Sequence, residues 1–115
     1  MQATIEYEPV VKKLLDKSEQ GRLNWVKNPL GGLFCEIEGQ YSFGLAETDD
    51  GYELTMVDPD QNVIFSIAGE RAVVYDDPKK EGLFNMLRDL YQLARKKALN
   101  VDEKIATATG ILDRI

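Results

Sequence analysis

Two kinds of side chain in this sequence could do chemistry: 20 carboxylates and a single thiol, Cys35. The carboxylates are unevenly spread. Between Leu33 and Asp77 stand eleven of them (Glu36, Glu38, Glu47, Asp49, Asp50, Glu53, Asp58, Asp60, Glu70, Asp76 and Asp77) against one base, Arg71, a local net of -10, while the rest of the chain sums to +4. Paired carboxylates can divide acid and base roles when their surroundings push their pKa values apart. Glu36 and Glu38 have the spacing that places both on one strand face. Acids alternating along a strand are equally what a solvated, aggregation-resistant face looks like. Asp58-Pro59-Asp60-Gln61-Asn62 opens like a calcium loop, with oxygen ligands at alternate positions. Val63, however, stands where the sharp turn needs Gly, and Gly69 where the bidentate Glu belongs. A polar hairpin turn accounts for the segment better.

What is missing narrows the chemistry further. The chain has no His, so a Ser-His-Asp triad, a Cys-His pair or an imidazole base cannot be built. One Cys supplies neither a zinc site nor an internal disulfide, and its alternation with Leu33 and Ile37 reads as a buried, inert thiol. Ser18, Ser42 and Ser66 lack an imidazole partner and stand in no Ser-Lys motif. Gly31-Gly32 and the run from Gly39 to Gly44 contain no dinucleotide or P-loop fingerprint. The expectation is no catalytic residue, no metal and no cofactor.

The elements that must position these residues follow from periodicity. Val10, Val11, Leu14 and Leu15 mark a helix from Thr4 or Pro9 to about Glu19, with Pro9 in its first turn and Gly21 ending it. After Gly21 the pattern shifts to short aromatic and β-branched runs near Arg22–Val26, Leu33–Glu38, Tyr41–Thr48, Tyr52–Asp58 and Asn62–Ala68. The links between them are too short for crossovers, which makes the sheet an antiparallel meander. Tyr41, Phe43 and Leu45 share one face, as do Tyr52, Leu54 and Met56. Leu83, Leu87, Leu90, Ala94 and Ala98 form the stripe of a helix from about Lys80 to Leu99 that covers this face. Asn100-Val101-Asp102-Glu103 reads as a capping box opening a last helix through Ile105, Ala108, Leu112 and Ile115. Glu70 to Pro78, with Val73, Val74 and Tyr75, is either a further short strand or a loop. The fold class is therefore α+β: one domain of 115 residues with an N-terminal helix, a meander of four to six strands and one or two C-terminal helices packed on one sheet face.

Two segments carry a resemblance. Leu14-Leu15-Asp16-Lys17-Ser18-Glu19-Gln20-Gly21-Arg22-Leu23-Asn24-Trp25 and Leu90-Tyr91-Gln92-Leu93-Ala94-Arg95-Lys96-Lys97-Ala98-Leu99 together resemble a pattern in small bacterial and phage-borne α+β proteins. In these a helix ending Asp-Lys-Ser/Thr-x-x-Gly-x-Leu/Ile-x-Trp leads into a meander and then a Leu-Tyr-x-Leu-Ala-Arg helix. The resemblance implies an architecture across most of the chain and carries no functional residue with it.

The charge pattern carries the functional expectation. An acidic sheet repels nucleic acid and speeds encounter with a basic protein surface, although Arg95, Lys96 and Lys97 leave a helix-side option for nucleic acid. No apolar run approaches the ~20 residues of a membrane span, and Glu6 and Glu8 stand where a signal peptide would be basic and then apolar. The expectation is a cytoplasmic, non-enzymatic interaction module, such as an immunity-type or antitoxin-like inhibitor or an accessory regulator. It would bind a basic partner through Glu36, Glu38, Glu47 and Glu53, with Trp25 as an aromatic anchor or else a core residue. The alternative is a small-molecule-binding or catalytic domain with a pocket between sheet and C-terminal helix, lined by Tyr41, Tyr52 and Tyr91. Self-association through an edge strand or the last helix is the third reading.

Overall fold

A computed structural model describes residues 7–71 and 78–115. The order of elements is α1 (Glu8–Glu19), β1 (Val26–Lys27), β2 (Leu33–Ile37), β3 (Tyr41–Glu47), β4 (Gly51–Val57), β5 (Val63–Glu70), α2 (Pro78–Ala98) and α3 (Val101–Asp113). The strands pair in sequence order, β1-β2-β3-β4-β5, and every pairing is antiparallel. This is the expected α+β meander. The Val73-Val74-Tyr75 stretch lies outside the described residues.

Strand alternation sorts the sheet into two unlike faces. On the inner face the registers set Leu33, Leu45, Leu54 and Ile67 in one row and Cys35, Phe43, Met56 and Phe65 in the next. Helix α2 lies over these rows and touches all five strands, and α1 runs beside it. Phe84, Leu87, Leu90 and Ala94 of α2 meet the sheet side chains in one core with Val11, Leu14 and Trp25. Gly69 lets α2 sit this close, since a Cβ there would stand 2.9 Å from the Phe84 Cα. The outer face carries small residues, Ser42, Gly44, Ala46, Thr55, Ser66 and Ala68, and no helix covers it among the described residues. Thr55 and Ser66 face each other there with hydroxyls 3.2 Å apart.

Local chemistry shifts three boundaries. Gly21 (φ 71°) ends α1 in a Schellman motif, in which the Arg22 amide donates to the Lys17 carbonyl at 2.9 Å and the Gly21 amide to that of Ser18 at 3.1 Å. Arg22 is thereby spent on the cap, and the strand expected over Arg22–Val26 shrinks to Val26–Lys27. Glu38 and Gly39 both adopt positive φ (51° and 69°), so Glu38 belongs to the β2–β3 turn and not to the strand. The capping box at Asn100 does not form either. Asn100 is left-handed (φ 50°, ψ 49°) with no side-chain cap bond, and it ends α2 before its carbonyl accepts the Lys104 amide at 3.0 Å.

Candidate functional site

The residues expected to form an acidic face fall at two ends of the sheet. Glu36 pairs with Ser42 near the β2–β3 turn, whereas Glu53 pairs with Ala46, four residues further along β3. At about 3.3 Å per residue that separates them by more than ~13 Å along the strands. Glu38 sits in the turn, so it shares no strand face with Glu36. Glu47 stands opposite Tyr52, on the inner-face parity but exposed at the strand end. Trp25 is 1% exposed, and its indole N–H donates to the Ser18 hydroxyl at 2.9 Å. It is therefore a core residue that ties the chain after α1 back onto the helix, and it cannot anchor a partner.

The structure brings together a different acidic group. Glu47, Asp49, Asp50, Glu53 and Glu70 surround the β3–β4 turn, all exposed. Gly51 pairs with Glu70 and Glu53 with Ala68, which makes Glu53 and Glu70 diagonal neighbours on the outer face. The Arg71 amide donates to the Asp50 carbonyl, and the Arg71 guanidinium lies over the Phe84 ring, 5.8 Å from its centre. Asp49, Asp50 and Glu70 were not singled out as site residues from sequence. Asp49 and Asp50 join Glu47 and Glu53 through the β3–β4 hairpin itself, whereas Glu70 arrives through the β4–β5 register, which no local pattern reveals.

A second acidic locus, the β4–β5 turn, is satisfied internally. The Asp58 carboxylate accepts the amides of Asp60 (2.9 Å) and Asn62 (2.8 Å) and the Asn62 side-chain N–H (3.2 Å). The Asn62 amide bond, first among these, holds the Asp58 pKa below its ordinary value. Its oxygens are committed to turning the chain, which explains the calcium-like spacing without a cation.

Among the described residues, aromatic rings pack at the place expected for a pocket between sheet and C-terminal helix. Tyr52, 6% exposed, packs 5.2 Å from the ring of Tyr91 and 5.7 Å from that of Phe84. Tyr41 is far from both, at the opposite end of β3 from the Glu47–Tyr52 pair. Instead, a groove of about 420 Å³ opens between α1 and the β2–β3 hairpin. Val10, Leu14, Ile37 and Phe43 line it, and the exposed cations Lys13, Lys17 and Arg22 stand around it. Cys35 is fully buried beneath α2, and that burial pushes its thiol up to about 12, against a weaker opposing hydrogen bond with the Phe43 backbone. It is held as a neutral thiol at ordinary pH.

No helix among the described residues is long and apolar enough to cross a membrane. No protein family, curated protein or solved structure matches the chain, so the resemblance drawn from its two helical segments acquires no relative.

Proposed function

We propose that this chain is a cytoplasmic, non-enzymatic interaction module that receives a basic protein surface at the β3–β4 end of its sheet, in the manner of an immunity-type inhibitor or accessory regulator. The observation that carries the reading is the convergence of Glu47, Asp49, Asp50, Glu53 and Glu70 on one exposed end. These carboxylates are solvated, and Glu53 and Glu70 border the part of the outer face where Ser66 and Ala68 are exposed. Such a field raises the encounter rate and selects against acidic partners and nucleic acid. The test compares affinity capture from the native host's lysate, at low and high salt, for the wild type and two charge-reversed variants. Glu47→Lys/Glu53→Lys/Glu70→Lys is expected to lose a salt-sensitive basic partner, and Glu36→Lys/Glu38→Lys/Asp60→Lys, at the other end, to keep it. Equal capture by all three proteins would refute the assignment.

The groove beside α1 favours a second reading, an amphiphilic carboxylate with its tail over Leu14 and Phe43 and its head near Lys13, Lys17 and Arg22. Titration calorimetry with a medium-chain fatty acid decides it: Lys13→Glu/Arg22→Glu should abolish a heat that the wild type shows. No heat from the wild type would dismiss this reading.

A further inference from the structure

Helix α3 has an apolar seam that nothing in its own chain covers among the described residues. Val101, Ile105, Ala108, Leu112 and, just beyond the helix end, Ile115 follow one another at intervals of four, three, four and three, and Ile111 flanks them. At about 100° per residue the five form one stripe roughly 80° wide, with Lys104 and then Ile111 along one edge and Asp102, Glu103, Asp113 and Arg114 farther outside it. Apart from the partly covered Val101, every residue from Asp102 to Ile115 is exposed. Ile105 is 59%, Ile111 46%, Leu112 69% and Ile115 94% exposed.

This exposure is at odds with the helix's own composition. Its 13 residues include Thr107, Thr109 and Gly110 in the middle, and helices of fewer than ~12–15 residues are marginal in water even when rich in Ala. Among the described residues, an exposed Lys96–Asp102 ion pair at 3.3 Å and the partial cover over Val101 tie the first turn to the body. A surface laid along its seam would supply stability that the helix gains from little else among the described residues.

We propose that this surface is α3 of a second copy, the two helices pairing as a short coiled coil. Three observations select that occupant. Alternating intervals of three and four average the 3.5-residue repeat that keeps one helix's seam against another's. The four exposed Ile and Leu side chains present roughly 500 Å² per copy, so about 1,000 Å², the size at which a specific interface begins, is the upper limit of what they bury in a pair. The flanks of the seam carry one charge each, Lys104 on one side and Asp102 on the other, so pairing sets no cluster of like charges together. Contact through the acidic sheets, in contrast, would oppose segments of net -10. A two-fold seam of this kind is self-complementary, closes at two copies and uses none of the carboxylates at the β3–β4 ends. The inference is independent of the function proposed for those ends.

Sedimentation of the full chain over a concentration series tests the proposal, with wild type, Ile105→Asp/Leu112→Asp and the sheet variant Glu53→Lys compared. The wild type should pass from 13.0 kDa to twice that mass as concentration rises. Glu53→Lys should follow it, and the seam variant should stay monomeric, its dissociation constant raised at least about tenfold. Retained near-ultraviolet circular dichroism would show that the seam variant's core is intact, and helical signal that rises with concentration in the wild type and Glu53→Lys but not in the seam variant would locate the pairing in α3. A wild type that remains monomeric throughout would overturn the proposal and leave the seam for a different protein or a lipid surface. So would a seam variant that dimerises equally well.

Discussion

Helices α2 and α3 are separated only by Leu99 and Asn100, and both repeat apolar residues at intervals of three and four, yet their stripes meet opposite fates. On α2, Leu87, Leu90 and Ala94 are 0% exposed, whereas on α3 Ile105 and Leu112 are 59% and 69% exposed. The patterns are alike; what lies opposite them is not. Helix α2 crosses all five strands, and left-handed Asn100 then turns the chain so that α3 leaves the sheet. Periodicity states that a helix has an apolar face, and only tertiary geometry states whose surface covers it.

Truncating each stripe is the strongest way to break this contrast. Leu90→Ala removes a fully enclosed side chain and is expected to cost about 2–5 kcal/mol in urea denaturation. Leu112→Ala, measured at concentrations too low for pairing, is expected to change stability by less than about 0.5 kcal/mol. Equal costs would mean that α3 unfolds as part of the body and that the contrast is false. Glycine substitutions sharpen the same point by changing sign. An alanine Cβ at Gly69 would stand 2.9 Å from the Phe84 Cα and 3.0 Å from the Leu87 Cδ1, whereas at Gly110 it would meet nothing within 4 Å. Gly69→Ala should therefore destabilise by about 1–3 kcal/mol as α2 is forced off β5. Gly110→Ala should raise the helical circular dichroism of α3, by a propensity gain of up to about 1 kcal/mol.

The covered stripe was more legible in sequence than the open one for a physical reason. Alternation along Tyr41, Phe43, Leu45 and Tyr52, Leu54, Met56 selects one sheet face, and the stripe of α2 is the longest apolar surface available to cover it. Short hairpins then leave a meander as the simplest topology. Conformations that depend on a few dihedrals were not legible. Glu38 follows the strand pattern but is drawn into the turn by its neighbour Gly39. Asn100 precedes a residue set resembling a capping box, yet as a left-handed residue it serves the end of α2. The acidic site was legible only as a segment with excess charge. Which carboxylates meet is decided by register, and register brought Glu70 to Glu53 while leaving Glu36 at the far end.

The cover over the sheet also governs Cys35, and pH reads it out. Its folded pKa, about 12, lies above the ordinary value of 9.0 because burial disfavours the thiolate. A pKa raised on folding contributes stability that is complete below about pH 9 and is lost as pH climbs from there toward 12. The stability difference between wild type and Cys35→Ala should shrink across that window, with a slope of up to about 1.4 kcal/mol per pH unit. At neutral pH the native thiol should resist alkylation that the urea-unfolded chain undergoes readily. Rapid alkylation of the native protein would mean that the inner face opens, and with it the distinction from α3.

The smallest expected effect bears on the junction itself. Lys96 near the end of α2 and Asp102 at the start of α3 form an ion pair at 3.3 Å, with side chains 56% and 77% exposed. Pairs this open repay little of the entropy needed to hold two side chains in one geometry, and salt screens them. Asp102→Ala should therefore alter global stability by no more than about 0.5 kcal/mol, an effect that vanishes in high salt. It should also leave the concentration dependence of α3 pairing intact, because Asp102 flanks the seam without lying in it. A larger, salt-insensitive loss would show that α2 and α3 are coupled through more than this exposed contact, so that the orientation of α3 is set by the body. Near-silence would leave the proposed seam as the remaining control over whether α3 is held.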